Sequence, residues 1–321
     1  MQAVLIINPT SGISTVTEKR MSPEETERTI LEGLRESGLE PQVLHTTPAD
    51  SGEGMARRAA DDGAELVIAA GGDGTIHAVA NGLIGTRCIL GIIPTGTMNN
   101  LAHSLNIPDT IPAACYTVLN GKTHSIDTGK INDHPFLEVA GVGIEAALFP
   151  SAEEIKRPGL LSTLRGALSG LKTVFSYQDA CVRIVIDGNK QRMYTALQVT
   201  ICNAPFYGAH LQVASQILMD DGLLDVVVYS NFSKAEYLRH AVSISQGRRP
   251  YQPKIKHLRA RSLRITADKP LEIQADGEPL GYTPAEVTVL PASLRIRTSG
   301  KEAPGLHISK GMPNIRTSIP T

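Results

Sequence analysis

Cysteine is scarce. The 321 residues contain four, Cys88, Cys115, Cys181 and Cys202, far apart and with no CxxC pair. That excludes a disulfide framework or a zinc finger and fits a reducing cytoplasm. Long apolar runs are missing as well. The longest, such as Leu66–Ala70, are strand-sized, far short of the roughly 20 residues a membrane span needs. The N-terminus has no basic segment leading into an apolar one, and Asn8-Pro9 closes its first apolar run, so no signal peptide is expected. Charge of one sign is lacking too: 31 basic against 32 acidic residues leave a formal net charge of −1. No global field draws the protein to nucleic acid or a membrane, so any such attraction must be local. The nine histidines form no HxxxH or HxxE pattern and read as structural or surface residues. Neither an internal repeat nor a low-complexity tract is present. What is present is a 41% apolar composition, enough for real cores, over a length that suggests about two domains.

The first part alternates strand and helix. Ala3–Ile7, Gln42–His45, Leu66–Ala70 and Ile89–Ile93 are short apolar runs that suit strands. Ser22-Pro23-Glu24-Glu25 predicts a capping box that starts a helix carrying Ile30, Leu31 and Leu34 and ending at Gly38. Further helices are predicted around Met55–Asp62, after Gly74, and over Ile111–Leu119. Such units give a parallel sheet covered on both faces, with ligands at the carboxyl ends of its strands. Three polar loops fall there: Asn8-Pro9-Thr10-Ser11-Gly12, Gly71-Gly72-Asp73-Gly74-Thr75, and Pro94-Thr95-Gly96-Thr97-Met98-Asn99-Asn100.

From about Ile126 short strands crowd together: Ser125–Ile131, Phe136–Ala140, Cys181–Asp187, Tyr194–Cys202, Leu223–Tyr229, Lys254–His257, Ser262–Ala267, Leu271–Ala275, Glu286–Leu290 and Leu294–Thr298. Only two helices interrupt them, Leu160–Val174 and Ser233–Ser245. This spacing predicts a β-sandwich or barrel. The expected organisation is α/β plus all-β: an α/β domain over 1–125, a β-sandwich over 126–300, and a loose tail over 301–321.

The glycines of Gly71–Thr75 let backbone N–H groups approach phosphate oxygens, and the helix that follows adds positive potential. Asp73 would repel phosphate unless it binds a metal or a ribose, or orients the loop. The loop is neither a Walker A motif nor GxGxxG. Together with Gly141-Val142-Gly143-Ile144-Glu145-Ala146, Asp220-Asp221-Gly222-Leu223-Leu224-Asp225 and Asp276-Gly277-Glu278-Pro279, the three loops resemble the diacylglycerol kinase catalytic-domain family, over about residues 1–298. The resemblance implies ATP as phosphoryl donor, a three-layer parallel-sheet nucleotide domain, a C-terminal β-sandwich, and an active site in the cleft between them. Its nucleotide contacts carry over to Asn8, Pro9, Thr10, Ser11, Gly12, Gly71, Gly72, Asp73, Gly74, Thr75 and Thr97. Thr46 matches a further contact, with Thr47 adjacent; Asn99 matches a motif amide or is a helix cap. Similar bacterial kinases hold Mg²⁺ through positions that correspond to Asp221 and the carbonyls of Leu218 and Leu223. Glu145 stands where many members carry Asp.

In Asp276-Gly277-Glu278 the glycine breaks strand alternation, so both acids can face one cleft. A carboxylate beside an acceptor hydroxyl can take its proton. In similar kinases the Glu does so, which implies Glu278 as base, with Asp276 orienting it or binding metal. The stripe Leu160, Leu161, Leu164, Leu168, Leu171, Val174 and Phe175, flanked by Lys156, Arg157, Arg165 and Lys172, reads first as core-facing and second as an interfacial helix. The basic run of Arg248, Arg249, Lys254, Lys256, Arg259, Arg261 and Arg264 could meet anionic lipid, whereas nucleic acid is disfavoured, Tyr251 being its only aromatic. The expectation is an ATP- and Mg²⁺-dependent lipid kinase with diacylglycerol the leading acceptor. It would be cytoplasmic, in transient peripheral contact with a membrane, and a homodimer is compatible with it. NAD kinase, or a non-catalytic lipid- or nucleotide-binding regulator, are the alternatives.

Overall fold

The computed structural model describes residues 2–9, 21–148, 160–206, 217–245 and 254–307. Thr10, Ser11, Gly12, Lys156, Arg157, Arg248, Arg249, Tyr251 and residues 308–321 lie outside these. In chain order the elements are β1 (Ala3–Ile7), α1 (Pro23–Glu36), β2 (Gln42–His45), α2 (Glu53–Asp61), β3 (Leu66–Gly71), α3 (Asp73–Leu83), β4 (Ile89–Pro94), α4 (Asn100–Ser104) and α5 (Ile111–Asn120). There follow β5 (Lys122–Ile131), β6 (His134–Phe136), β7 (Val139–Gly143), α6 (Leu160–Ser176), β8 (Ala180–Ile186), β9 (Lys190–Cys202), β10 (Leu224–Ser230) and α7 (Lys234–Ser245). The last strands are β11 (Ile255–Ala260), β12 (Ser262–Ala267), β13 (Glu272–Ala275), β14 (Glu278–Tyr282) and β15 (Ala285–Thr298).

Strands β2, β1, β3 and β4 pair in parallel in that order. Alternate residues of each buried strand serve opposite layers, as a period of two requires. Leu5, Leu66 and Ile68 pack under α1 and α5 with Ile30, Leu34 and Ala114. Val4, Ile6, Val67 and Ala69 pack on the other face against Ala56, Ile76, Val79 and Leu83 of α2 and α3. The capping box at Ser22 forms as predicted: Ser22 Oγ accepts from Glu25 N, and the Glu25 carboxylate accepts from Ser22 N. The second half is a β-sandwich. Its strands pair antiparallel around β9, which takes β7, β8 and β10 as neighbours. Val182, Ile184, Val199, Ile201, Val226, Val228, Leu263, Ile265 and Val287 fill its core.

Several expectations are corrected. Glu286–Leu290 and Leu294–Thr298 are one strand, β15, with a register shift between Leu290 and Leu294. There Ala292 has φ 49°, and its N–H donates to the buried Asp127 carboxylate at 2.7 Å. Arg295 and Ile296 of β15 pair in parallel with β4, so the final strand completes the first domain's sheet. Phe136–Ala140 is two strands, because Leu137 and Glu138 turn their N–H groups to a side-chain acceptor instead of a ladder. β14 and the five-residue α4 escape a periodicity search because they are too short to show a period. The segment expected as a loose tail is packed over 301–307. Ala303 and Leu306 are buried, and Gly305 N donates to Ser104 O at 2.8 Å. On α6 the core-facing reading holds for Val174, but Leu168, Leu171 and Phe175 are exposed by 59%, 46% and 61%. The basic run is partly neutralised: Lys254 pairs with Glu236, Arg259 with Asp221 and Asp225, and Arg264 with Glu286.

Candidate active site

The two glycines after β3 turn the chain into α3, whose first intrahelical bonds close on Gly72 O from Thr75 N and Ile76 N. Gly74 and Thr75, at the start of α3, form part of the cleft wall. A Cβ placed on Gly74 would meet no atom within 4 Å, so the space over the helix terminus is open. Asn8 Nδ2 donates to Thr75 Oγ1 at 3.3 Å, which fastens the β1 loop to the helix start. Thr46 and Thr47 both line the same cavity, so the choice between them stays open. Thr97 is exposed on the loop after β4 and is not part of that lining.

Asp73 orients the loop. Its two oxygens accept from Asn99 N (3.0 Å) and Asn100 N (2.8 Å), capping α4 from another element. Asn99 is therefore not the side-chain cap of α4. At φ 50° it folds its amide back onto Gly96, accepting from Gly96 N and donating to Gly96 O. A Cβ on Gly96 would lie 2.5 Å from Gly72 Cα. The two loops touch backbone to backbone, a contact that only glycine permits.

Across the cleft stands the β13–β14 hairpin. Asp276, at its tip with φ 44°, accepts from three consecutive backbone groups: Leu137 N (2.6 Å), Glu138 N (3.0 Å) and Val139 N (2.9 Å). That anchor fits the orienting role of the two expected for it. Glu278, two residues on, is exposed into the cleft. The cavity of about 750 Å³ thus brings together Asn8, Pro9, Thr46, Gly74, Thr75, Asp276 and Glu278. Strand β14 is its wall. Glu278 and Leu280 face this cavity, while Pro279, Gly281 and Tyr282 line a second one of about 660 Å³ beside α6.

His77, structural or surface by the sequence reading, lines the cavity, with Nε2 2.9 Å from Glu138 Oε1 and Nδ1 3.9 Å from Asp276 Oδ2. Burial opposes a charge on the ring, but Asp276 and Glu138 outweigh it and push His77 up to about 10. Burial also raises Glu138, to about 7, against the pull of His77. Asp73, His77 and Glu138 bring ligand atoms within 4.8 Å of one another. Within this cluster His77 and Glu138 form an ion pair. The available signal was helical spacing: His77 follows Asp73 by four residues and shares its face. Glu138 carried no local signal.

The acidic loop before β10 is a separate place. Asp221 Oδ1 accepts from Leu223 N at 3.0 Å, and its other oxygen pairs with Arg259. Asp220 accepts from His307 N and pairs with its ring. Burial, with Asp221 and Asp220 nearby, raises Asp127; burial also raises Asp225, against the pull of Arg259. One Asp225 oxygen is buried with no hydrogen-bond partner among the described residues. Arg259 pairs with Asp221 and Asp225, His307 with Asp220, and Asp127 accepts from Gly222 N and Ala292 N, so the loop is rich in carboxylate oxygens, the ligand type of hard divalent cations. Glu145 lies in the sandwich, accepting from Gln198 and Thr200.

Residues 2–131 match the diacylglycerol kinase catalytic domain, and 138–298 the YegS C-terminal NAD kinase beta sandwich-like domain. The diacylglycerol kinase of Bacillus subtilis is 31% identical over 89% of this chain and 92% of its own length. An uncharacterized Synechocystis protein is 36% identical over 73% of this chain, and the match spans only 55% of that longer protein. A solved Bacillus anthracis protein, provisionally described as a diacylglycerol kinase, superposes with TM-score 0.75 at 25% identity, covering 92% of this chain and 97% of its own. An Archaeoglobus fulgidus NAD kinase solved with ATP shares the fold, at TM-score 0.51 and 13% identity over 93% of this chain and 94% of its own.

The Asp276 anchor has a direct consequence for stability. Asp276→Asn leaves one oxygen for three N–H donors and turns an NH₂ toward them. Stranding a buried donor costs about 1–3 kcal/mol, so urea denaturation is expected to show a loss of that order, about 1–3 kcal/mol.

Proposed function

This chain belongs to the diacylglycerol kinase catalytic-domain family, and we propose that it is an ATP- and Mg²⁺-dependent lipid kinase. It would transfer the γ-phosphoryl group to a lipid hydroxyl, with diacylglycerol the leading acceptor and phosphatidic acid the product. The observation that carries this reading is the single cavity in which the start of α3 faces Glu278 from the second domain. Gly74, Thr75, Asn8 and Thr46 supply N–H, amide and hydroxyl groups suited to a triphosphate; Pro9 adds wall, and the Gly72–Gly96 contact shapes the approach. An acceptor hydroxyl held between the walls would bond the γ-phosphorus as the bond to the bridging oxygen breaks. Its proton would pass to Glu278, which Asp276 holds in place.

Asp221 with the carbonyls of Leu218 and Leu223 would hold Mg²⁺, helped by Asp127 and Asp225. There the ion would neutralise the carboxylates and order the loop before β10. The acceptor's apolar part has room on the far side of β14, in the cavity lined by Tyr177, Leu271, Ile273, Pro279 and Tyr282. Beside it Leu168, Leu171 and Phe175 of α6 are exposed together with Arg165 and Lys172. That combination supports transient contact with an anionic bilayer. No described helix is long and apolar enough to cross a membrane.

Labelled ATP, Mg²⁺ and diacylglycerol vesicles test the reaction, with NAD in place of lipid as the competing acceptor. Glu278→Gln is expected to lower turnover by about 10²–10⁴-fold, the usual contribution of a general base, without changing ATP affinity in calorimetry. A loss of only about threefold would remove the base role. Asp221→Ala should abolish the rise in melting temperature that Mg²⁺ confers on the wild type. Phe175→Glu should weaken co-sedimentation with anionic vesicles while leaving ATP binding intact.

A further inference from the structure

His77 meets carboxylates from three separate elements. Asp73 precedes it on α3, Glu138 sits at the joint of β6 and β7, and Asp276 at the tip of the β13–β14 hairpin. The side chains of His77, Glu138 and Asp276 are 13%, 4% and 10% exposed, so water screens them little. Glu53, Asp133, His134 and Glu278 also border this cavity. The ring is thus the place where the helix behind the phosphate loop touches both elements that carry the acceptor side. Asp276 and Glu138 are already tied to each other, since Glu138 N donates to Asp276. One cation therefore bridges the first domain to a pre-assembled unit of the second.

We propose that His77 is a positioning residue for phosphoryl transfer: through Glu138 and Asp276 it clamps the hairpin that bears Glu278 against the start of α3. The clamp rests on the reading of Glu278 as proton acceptor. Without the ring, Glu138 loses its partner on α3 and Asp276 loses its nearest counter-charge from the first domain, so among the described residues nothing polar ties the hairpin to the helix start. Among the described strands β14 pairs with β13 alone, at the edge of the sheet. Displacing a reacting group by about 1 Å costs on the order of 10²-fold in rate. The phosphate-facing groups are held independently, by Asn8–Thr75 and by Asp73 with the loop after β4. Loss of His77 should therefore fall on turnover and spare nucleotide affinity.

The test uses the full chain with His77→Gln, His77→Lys, Glu138→Gln and the double variant H77Q/E138Q. ATP affinity is measured by calorimetry, turnover and KM on diacylglycerol vesicles, and stability by urea denaturation. His77→Gln is expected to lower kcat by about 10–100-fold with ATP affinity within about twofold. His77→Lys, which restores charge but not ring shape, should recover most of that loss. The double variant should lose less than the product of the single losses. A folded His77→Gln protein with kcat within about threefold of wild type overturns the clamp, as does a Lys variant no better than Gln. If His77→Gln fails to fold, Glu138→Gln carries the same kcat-against-affinity comparison. If wild type phosphorylates no lipid, the lipid-kinase reading fails instead. The clamp then stands or falls on the denaturation cycle: non-additive losses support it, additive losses overturn it.

Discussion

The carboxylate of Asp276 is the constraint on which the catalytic face depends. Three successive N–H groups, those of Leu137, Glu138 and Val139, converge on its two oxygens. Those bonds break the strand that would otherwise run from Phe136 to Ala140 and force the turn between β6 and β7. The same bonds hold the hairpin tip in a left-handed conformation that a non-glycine residue rarely takes. Because the tip is fixed, Glu278 projects into the cleft. Because the joint is fixed, Glu138 comes within 2.9 Å of His77. An acid placed at the centre of a site can thus serve mainly to anchor backbone, while its neighbour two residues along is exposed to the cleft.

Asp73 repeats the device on the opposite wall. It too binds consecutive backbone N–H groups, those of Asn99 and Asn100, and so draws the loop after β4 against the loop after β3. The glycine pair 72 and 96 is the steric counterpart of that attraction. The two walls of the cleft are built alike, each by an aspartate acting as a multidentate acceptor. The difference lies in what they expose: N–H groups and hydroxyls on one side, a carboxylate on the other.

What was legible in the sequence was what is local. Ser22 and Glu25 announce a helix start because both partners lie within one turn. The Gly-rich loops read clearly because strand, glycine and helix follow one another along the chain. Asp276 and Glu278 were legible as a pair for the same reason, although which of them anchors and which faces the cleft depends on residues 137–139, far away in sequence. His77 was passed over because its meaning lies in Glu138, 61 residues further on and in the other domain. The packing of Ala303 and Leu306 was hidden likewise. Their partners include Leu101, Leu105 and Met219, and a short polar segment with proline carries no periodic pattern to reveal a core contact.

The route of β15 has a consequence for how the protein comes into being. This strand lies beside β4 through Arg295 and Ile296, yet it is made just over two hundred residues after its partners Ile89 and Leu90. Throughout synthesis of the second domain, the first presents an unfilled edge at β4, at the apolar Ile89 and Leu90. Contacts between such distant segments form slowly, and open strand edges recruit wrong partners. A ribosome-bound fragment that ends before β15 should therefore be a client for chaperones, and only release of the last strands closes the sheet. The architecture makes the parallel-sheet half the last to be finished although it is the first to be translated.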